Sequence, residues 1–113
     1  MSRLLITALG MVVALAVSST AYAQDKVAKG VELYASQKCA LCHSIAGKGN
    51  AKGSLDGVAA KLKEAEIREW IVDPKGMTTK MKAERKPLMK AYPNLTKDEV
   101  DALVAYMLTL NKK

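Results

Sequence analysis

The chain has 113 residues, with no phenylalanine, one tryptophan and four tyrosines. That is enough for one small domain with a modest aromatic core, a size at which a staple or cofactor adds useful stability. The formal charge is +7, from 18 Lys+Arg against 11 Asp+Glu. Most of the positive charge is scattered lysine, with arginine only at Arg3, Arg68 and Arg85. An arginine-rich, aromatic-lined nucleic-acid face is therefore not expected. What remains is a solvated lysine surface or a docking face for an acidic partner.

Residues 1–23 read as a cleaved secretory signal peptide. Arg3 supplies the basic start, Leu4 to Val17 is an uncharged apolar run, and Ala21-Tyr22-Ala23 fits a small-x-small cleavage site. The run is short for a bilayer span. The mature domain is expected to be 24–113, exported to the periplasm, a monomer, with no stable membrane insertion after cleavage. Gln24 to Lys38 reads as the first helix, with Val27, Val31 and Tyr34 at helical spacing and Gly30 beside them. A mid-helix glycine costs about 1 kcal/mol relative to alanine and is best explained by a second helix crossing closely there.

Cys39-Ala40-Leu41-Cys42-His43 follows, and His43 is the only histidine. This is the C-x-x-C-H pattern of covalent haem attachment. Each thiol can add to a haem vinyl group, and the imidazole can bind iron. Exported thiols left unmodified would be free to pair as a disulfide. Ile45 to Gly53 holds three glycines. It lacks the Gly-Lys-Ser/Thr ending of a phosphate loop and is expected to be a loop packed on a flat cofactor.

Leu55 to Val72 contains two helical pieces, one with Leu55, Val58, Ala59 and Leu62, the other with Ile67, Trp70 and Ile71. Asp73-Pro74-Lys75-Gly76 is expected to stop the second piece, leaving 75–94 long, lysine-rich and irregular. Thr96-Lys97-Asp98-Glu99 is a capping box. It opens a last helix whose buried stripe is Val100, Leu103, Val104, Met107 and Leu110.

Residues 30–110 resemble a small bacterial class I cytochrome c. Gly30 and Tyr34 match the family's first-helix glycine and aromatic, and Cys39 to His43 its haem motif. Trp70 to Pro74 resembles the close of its middle helix, and Leu103 to Met107 its last helix. The resemblance implies an all-α cytochrome c fold, three to five helices wrapped around one covalently attached haem c, with the N- and C-terminal helices crossing. It also implies a methionine as second axial ligand. Met77, Met81 and Met89 lie in the right stretch, and Pro87-Leu88-Met89-Lys90-Ala91-Tyr92 best fits the family's Met-Pro-Ala-aromatic run, with Lys90 where proline is usual. Relatives place a proline carbonyl against the ligand histidine's outer nitrogen; here Ser54 is expected to accept that bond. Trp70 is a candidate donor to a haem propionate.

On this reading the haem sites are Cys39, Cys42 and His43, and the iron ligands His43 and Met89. The expected function is a soluble one-electron carrier with no reaction of its own. Lys38, Lys48, Lys86 and Lys90 would steer it to acidic redox partners, transiently and in a salt-dependent way. Three other readings compete: a haem sensor or peroxidase-like protein with an open sixth position, a thiol or zinc site using the cysteines without haem, and one subunit of a larger respiratory complex.

Overall fold

The computed structural model describes residues 14–112. Most of the expected signal segment lies outside them. Its end, residues 14–23, is the start of α1 (Ala14–Ser36). The helix thus begins upstream of Gln24, because no proline or glycine interrupts 14–23.

α1 ends where Gln37 N–H donates to the Leu33 carbonyl at 2.8 Å and Lys38 turns left-handed at φ 59°. A left-handed residue after the last turn is a common way to leave a helix. Here it redirects the chain into a single 3₁₀ turn, Cys39–Leu41. Next come β1 (Ser44–Ile45) and β2 (Lys48–Gly49), antiparallel with Ser44 opposite Gly49 and Ile45 opposite Lys48. Ala46 and Gly47 connect them with positive φ at both positions, the backbone of a two-residue hairpin turn. Strands of two residues leave no period to read in sequence. A second 3₁₀ turn, Ala51–Gly53, is capped by the Asn50 side chain.

Two helical pieces follow as expected, α2 (Val58–Lys61) and α3 (Glu64–Val72). The stretch after them departs from expectation. Asp73 closes α3 through its N–H to the Glu69 carbonyl at 2.7 Å. Its carboxylate also accepts from Gly76 N–H at 3.1 Å and so opens α4 (Pro74–Lys80). Asp at the N-cap with Pro at the first position is a helix-start signal as much as a stop. The irregular segment is therefore shorter, running from Met81 to the cap of α5 (Lys97–Leu108). That cap is the expected box: Glu99 N–H donates to Thr96 Oγ1 at 3.2 Å, and Thr96 N–H to Glu99 Oε1 at 2.9 Å.

α5 is the centre of the core. Val100, Val104 and Met107 pack with Ile67 of α3, while Ala102 and Leu103 pack with Leu33 of α1. Each of these side chains larger than alanine contributes about 1.5–3 kcal/mol when buried. The α1–α5 crossing is at Gly30: a Cβ there would collide with the Ala102 carbonyl oxygen and lie 2.7 Å from Tyr106 Cβ. One turn on, Tyr34 meets Tyr106 edge to face, centroids 5.9 Å apart and planes at 88°. Arg68 of α3 bonds Asp101 of α5 at 2.6 Å. Lys97 first, then Arg68, hold that carboxyl below its ordinary range. Beyond α5, the Leu110 carbonyl accepts from Ala59 N–H at 3.0 Å. Among the described residues no helix is long and apolar enough to cross a membrane.

Candidate haem site

The C-x-x-C-H segment is a tightly closed turn. Cys42 N–H and His43 N–H both donate to the Cys39 carbonyl, at 3.1 and 3.0 Å. Asn50 clamps it from outside: its N–H reaches the Ala40 and His43 carbonyls at 3.2 and 2.9 Å, and its side-chain amide donates to the Leu41 carbonyl at 3.2 Å. Gly49 sits under this turn at φ 111°, where a Cβ would run into the His43 carbonyl oxygen. Only glycine fits both that dihedral and that space.

The glycine loop thus has a role other than the expected one. Gly49 and Gly53 press on the backbone of His43 and Cys42, whereas a Cβ on Gly47 would meet nothing within 4 Å among the described residues. None of the three lines the large cavity. Small residues are needed because two stretches of main chain approach each other there.

His43 Nδ1 lies 2.9 Å from the Gly53 carbonyl oxygen. A carbonyl can only accept, so Nδ1 carries the proton and Nε2 keeps its lone pair. The partner is one residue earlier than the expected Ser54. Ser54 forms an isolated parallel bridge with Ser44, and Leu55 N–H donates to the Ser44 carbonyl. Pairing along β1 thus engages 54–55 and leaves the Gly53 carbonyl for the ring. Burial pushes the His43 pKa down, the Gly53 bond opposes this, and the Arg85 cation adds to the lowering. The neutral ring that results is the form that binds metals.

Cys39, Cys42 and His43 line a cavity of about 500 Å³. The cysteines are free thiols, partly buried, and burial raises the Cys39 pKa. Leu55, Val58 and Leu62 come from the loop and α2, Ile67, Trp70 and Ile71 from α3, and Leu103 and Met107 from α5. Met89 and Leu88 close the cavity from the irregular segment. The methionines separate clearly. Met77 is wholly buried, 0% exposed, and Met81 is 46% exposed; neither lines the cavity, whereas Met89 and Met107 do. Met107 also packs in the core. Trp70 lines the cavity. Lys38 and Lys90 stand on its lining, and Lys48 and Lys86 are exposed.

These residues fit a haem. An apolar chamber receives side chains from all five α-helices and from the irregular segment, two thiols stand on its wall, and a singly protonated imidazole is oriented by the Gly53 carbonyl. Among the described residues no three His, Cys, Asp or Glu side chains gather to hold an ion, so a zinc site, which needs further ligands beside the cysteines, finds no support. Two contributors carried no sequence signal. Asn50 looked like a loop residue, and Arg85 one charge among many. Arg85 Nη2 donates to the Cys42 carbonyl at 2.7 Å, and only the folded chain brings these positions together.

Comparison with known proteins agrees. The family model for cytochrome c matches residues 27–111. A cytochrome c oxidase subunit 2 from Alkalihalophilus pseudofirmus is 25% identical over 91 residues, covering 73% of this chain and 25% of that protein. The chain thus spans a quarter of that relative's length. No solved structure matches the chain. With its family matched from α1 through the end of α5, and Cys39, Cys42 and His43 set for a covalently bound haem c, the chain belongs to the cytochrome c family.

Proposed function

We propose that this cytochrome c is a soluble one-electron carrier with His43 and Met89 as axial ligands, serving respiratory-type partners in the periplasm after cleavage behind Ala23. Haem-based electron transfer follows from the family. The carrier reading rests on one observation: Met89, of the three methionines weighed, lines the same cavity as His43. When bound, the haem supplies a one-electron Fe(III)/Fe(II) couple, with a potential that a thioether ligand and burial raise.

The chain's own residues do the rest. Gly53 fixes the His43 tautomer and raises its basicity as a ligand. Met89 would hold the iron together with His43 and leave no position there for a substrate. The apolar walls exclude water. Lys38 and Lys90 at the cavity, with Lys48 and Lys86 on the surface, favour approach of an acidic partner and a short-lived complex. Likeness to part of an oxidase subunit supports a respiratory setting.

The test is redox-titrated absorption spectroscopy of the mature protein beside Met89→Ala. The oxidised wild type is expected to show the long-wavelength sulfur-to-iron charge-transfer band, and the variant to lose it. Survival of the band in the variant would move the ligand to another methionine. Fast, complete carbon monoxide binding by the reduced wild type at neutral pH would instead favour a sensor or peroxidase-like protein.

A further inference from the structure

Met89 lies between two tethers to the haem-attachment turn, Arg85 before it and Tyr92, whose side chain hydrogen-bonds Cys39, after it. Among the described hydrogen bonds, one links residues 84–91 to the rest of the chain: Arg85 Nη2 to the Cys42 carbonyl, at 2.7 Å. Arg85 lies four positions before Met89, so the Met89 backbone stays within roughly 14 Å of the Arg85 backbone even at full extension. The anchor is on the haem-attachment turn itself, between Cys39 and His43.

The space for the guanidinium is specific. A Cβ on Gly53 would collide with an Arg85 Nη atom and with the Cys42 carbonyl oxygen, and would lie 3.0 Å from Arg85 Cζ. The residue whose carbonyl orients His43 is therefore also the one left bare to seat Arg85. A planar, charged fork suits this place, donating at its edge while its body lies flat against a glycine.

We propose that Arg85 is a positioning residue, a latch that ties the Met89 segment to the Cys42–Gly53 backbone and so holds Met89 at the sixth iron position. This rests on the reading of Met89 as a ligand. Breaking the latch lengthens the unanchored loop and raises the fraction of time Met89 is away. The cost of losing one charge-assisted hydrogen bond corresponds to roughly 10- to 100-fold in that opening equilibrium.

The test uses the mature haem-loaded protein as wild type, Arg85→Met, Arg85→Lys, Met89→Ala and the Arg85→Met/Met89→Ala double variant. The readouts are carbon monoxide binding to the reduced form, the pH range over which the oxidised charge-transfer band persists, and amide hydrogen exchange of residues 84–92. Arg85→Met is expected to bind carbon monoxide roughly 10- to 100-fold faster, to lose the band over a narrower pH range, and to exchange faster at 84–92. Arg85→Lys should fall between, because an ammonium supplies charge and one donor but no flat face. In the Met89→Ala background Arg85→Met should add nothing, since the latch acts through Met89.

Wild-type behaviour of Arg85→Met overturns the proposal. So does wild-type behaviour of Arg85→Lys, which would reduce the role to charge alone, or a further rate increase in the double variant. If Arg85→Met does not mature, Arg85→Lys decides: acceleration supports the latch and a wild-type rate overturns it. Failure of the ligand reading looks different, with Met89→Ala itself indistinguishable from wild type.

Discussion

Gly30→Ala is the sharpest probe of the frame that carries the site. An exposed Gly→Ala change inside a helix would stabilise by about 1 kcal/mol. At Gly30 the added methyl would stand 2.7 Å from Tyr106 Cβ, and ordinary contact begins at 3.4 Å. The helices must therefore separate by at least roughly 0.7 Å there, the difference of those two distances. Its second collision is with the Ala102 carbonyl oxygen, a main-chain atom that no rotamer change can move aside. Overpacking of this kind costs about 1–3 kcal/mol. With an unyielding backbone the upper part of that range applies, leaving about 2 kcal/mol of destabilisation after the propensity gain. For a domain of this size that lowers Tm by roughly 10 °C. The assay is thermal and guanidinium unfolding of the haem-loaded protein, with Lys29→Ala as an exposed control in the same helix, expected within about 0.5 kcal/mol of wild type. A Gly30→Ala protein as stable as wild type, or more so, would refute the close crossing.

Two more outcomes follow from the packing. Met77 is fully buried at 0% exposure and lies outside the cavity, so Met77→Ala should cost about 2–5 kcal/mol while leaving the absorption spectrum of the folded protein unchanged; a changed axial-ligand band would contradict this. The Tyr34 hydroxyl is buried with no hydrogen-bond partner among the described residues, and burial first, then Cys39, push its pKa from 10.0 up to about 12. A raised pKa favours the protonated form in the fold. That share of stability is complete below about pH 10 and is lost as pH rises towards about 12. Tyr34→Phe should therefore flatten the fall in stability over this window, read by denaturation at successive pH values.

Much of the fold can be read along the chain because its signals are local. The Thr96–Glu99 box and the Val100, Leu103, Val104, Met107 stripe define α5 within a dozen residues. Gly30 announces a crossing, although not what crosses it. Asp73-Pro74 was legible as a boundary, but its side chain serves the helix after it as well as ending the one before, and a sequence pattern does not weigh those two roles. Gly47, Gly49 and Gly53 showed that small residues were required. What they approach, the carbonyls of Cys42 and His43 for two of them, depends on how the hairpin folds back.

The haem site divides along the same line. The C-x-x-C-H arrangement of Cys39, Cys42 and His43 is legible in sequence alone, because its residues lie within one turn of chain, and a turn is a local object. Tertiary structure decided the rest: which carbonyl orients His43, which of three methionines stands at the cavity, and that Arg85 grips Cys42 across 43 positions. Those choices join segments far apart in the chain, and their partners are selected by the packing of α1, α3 and α5.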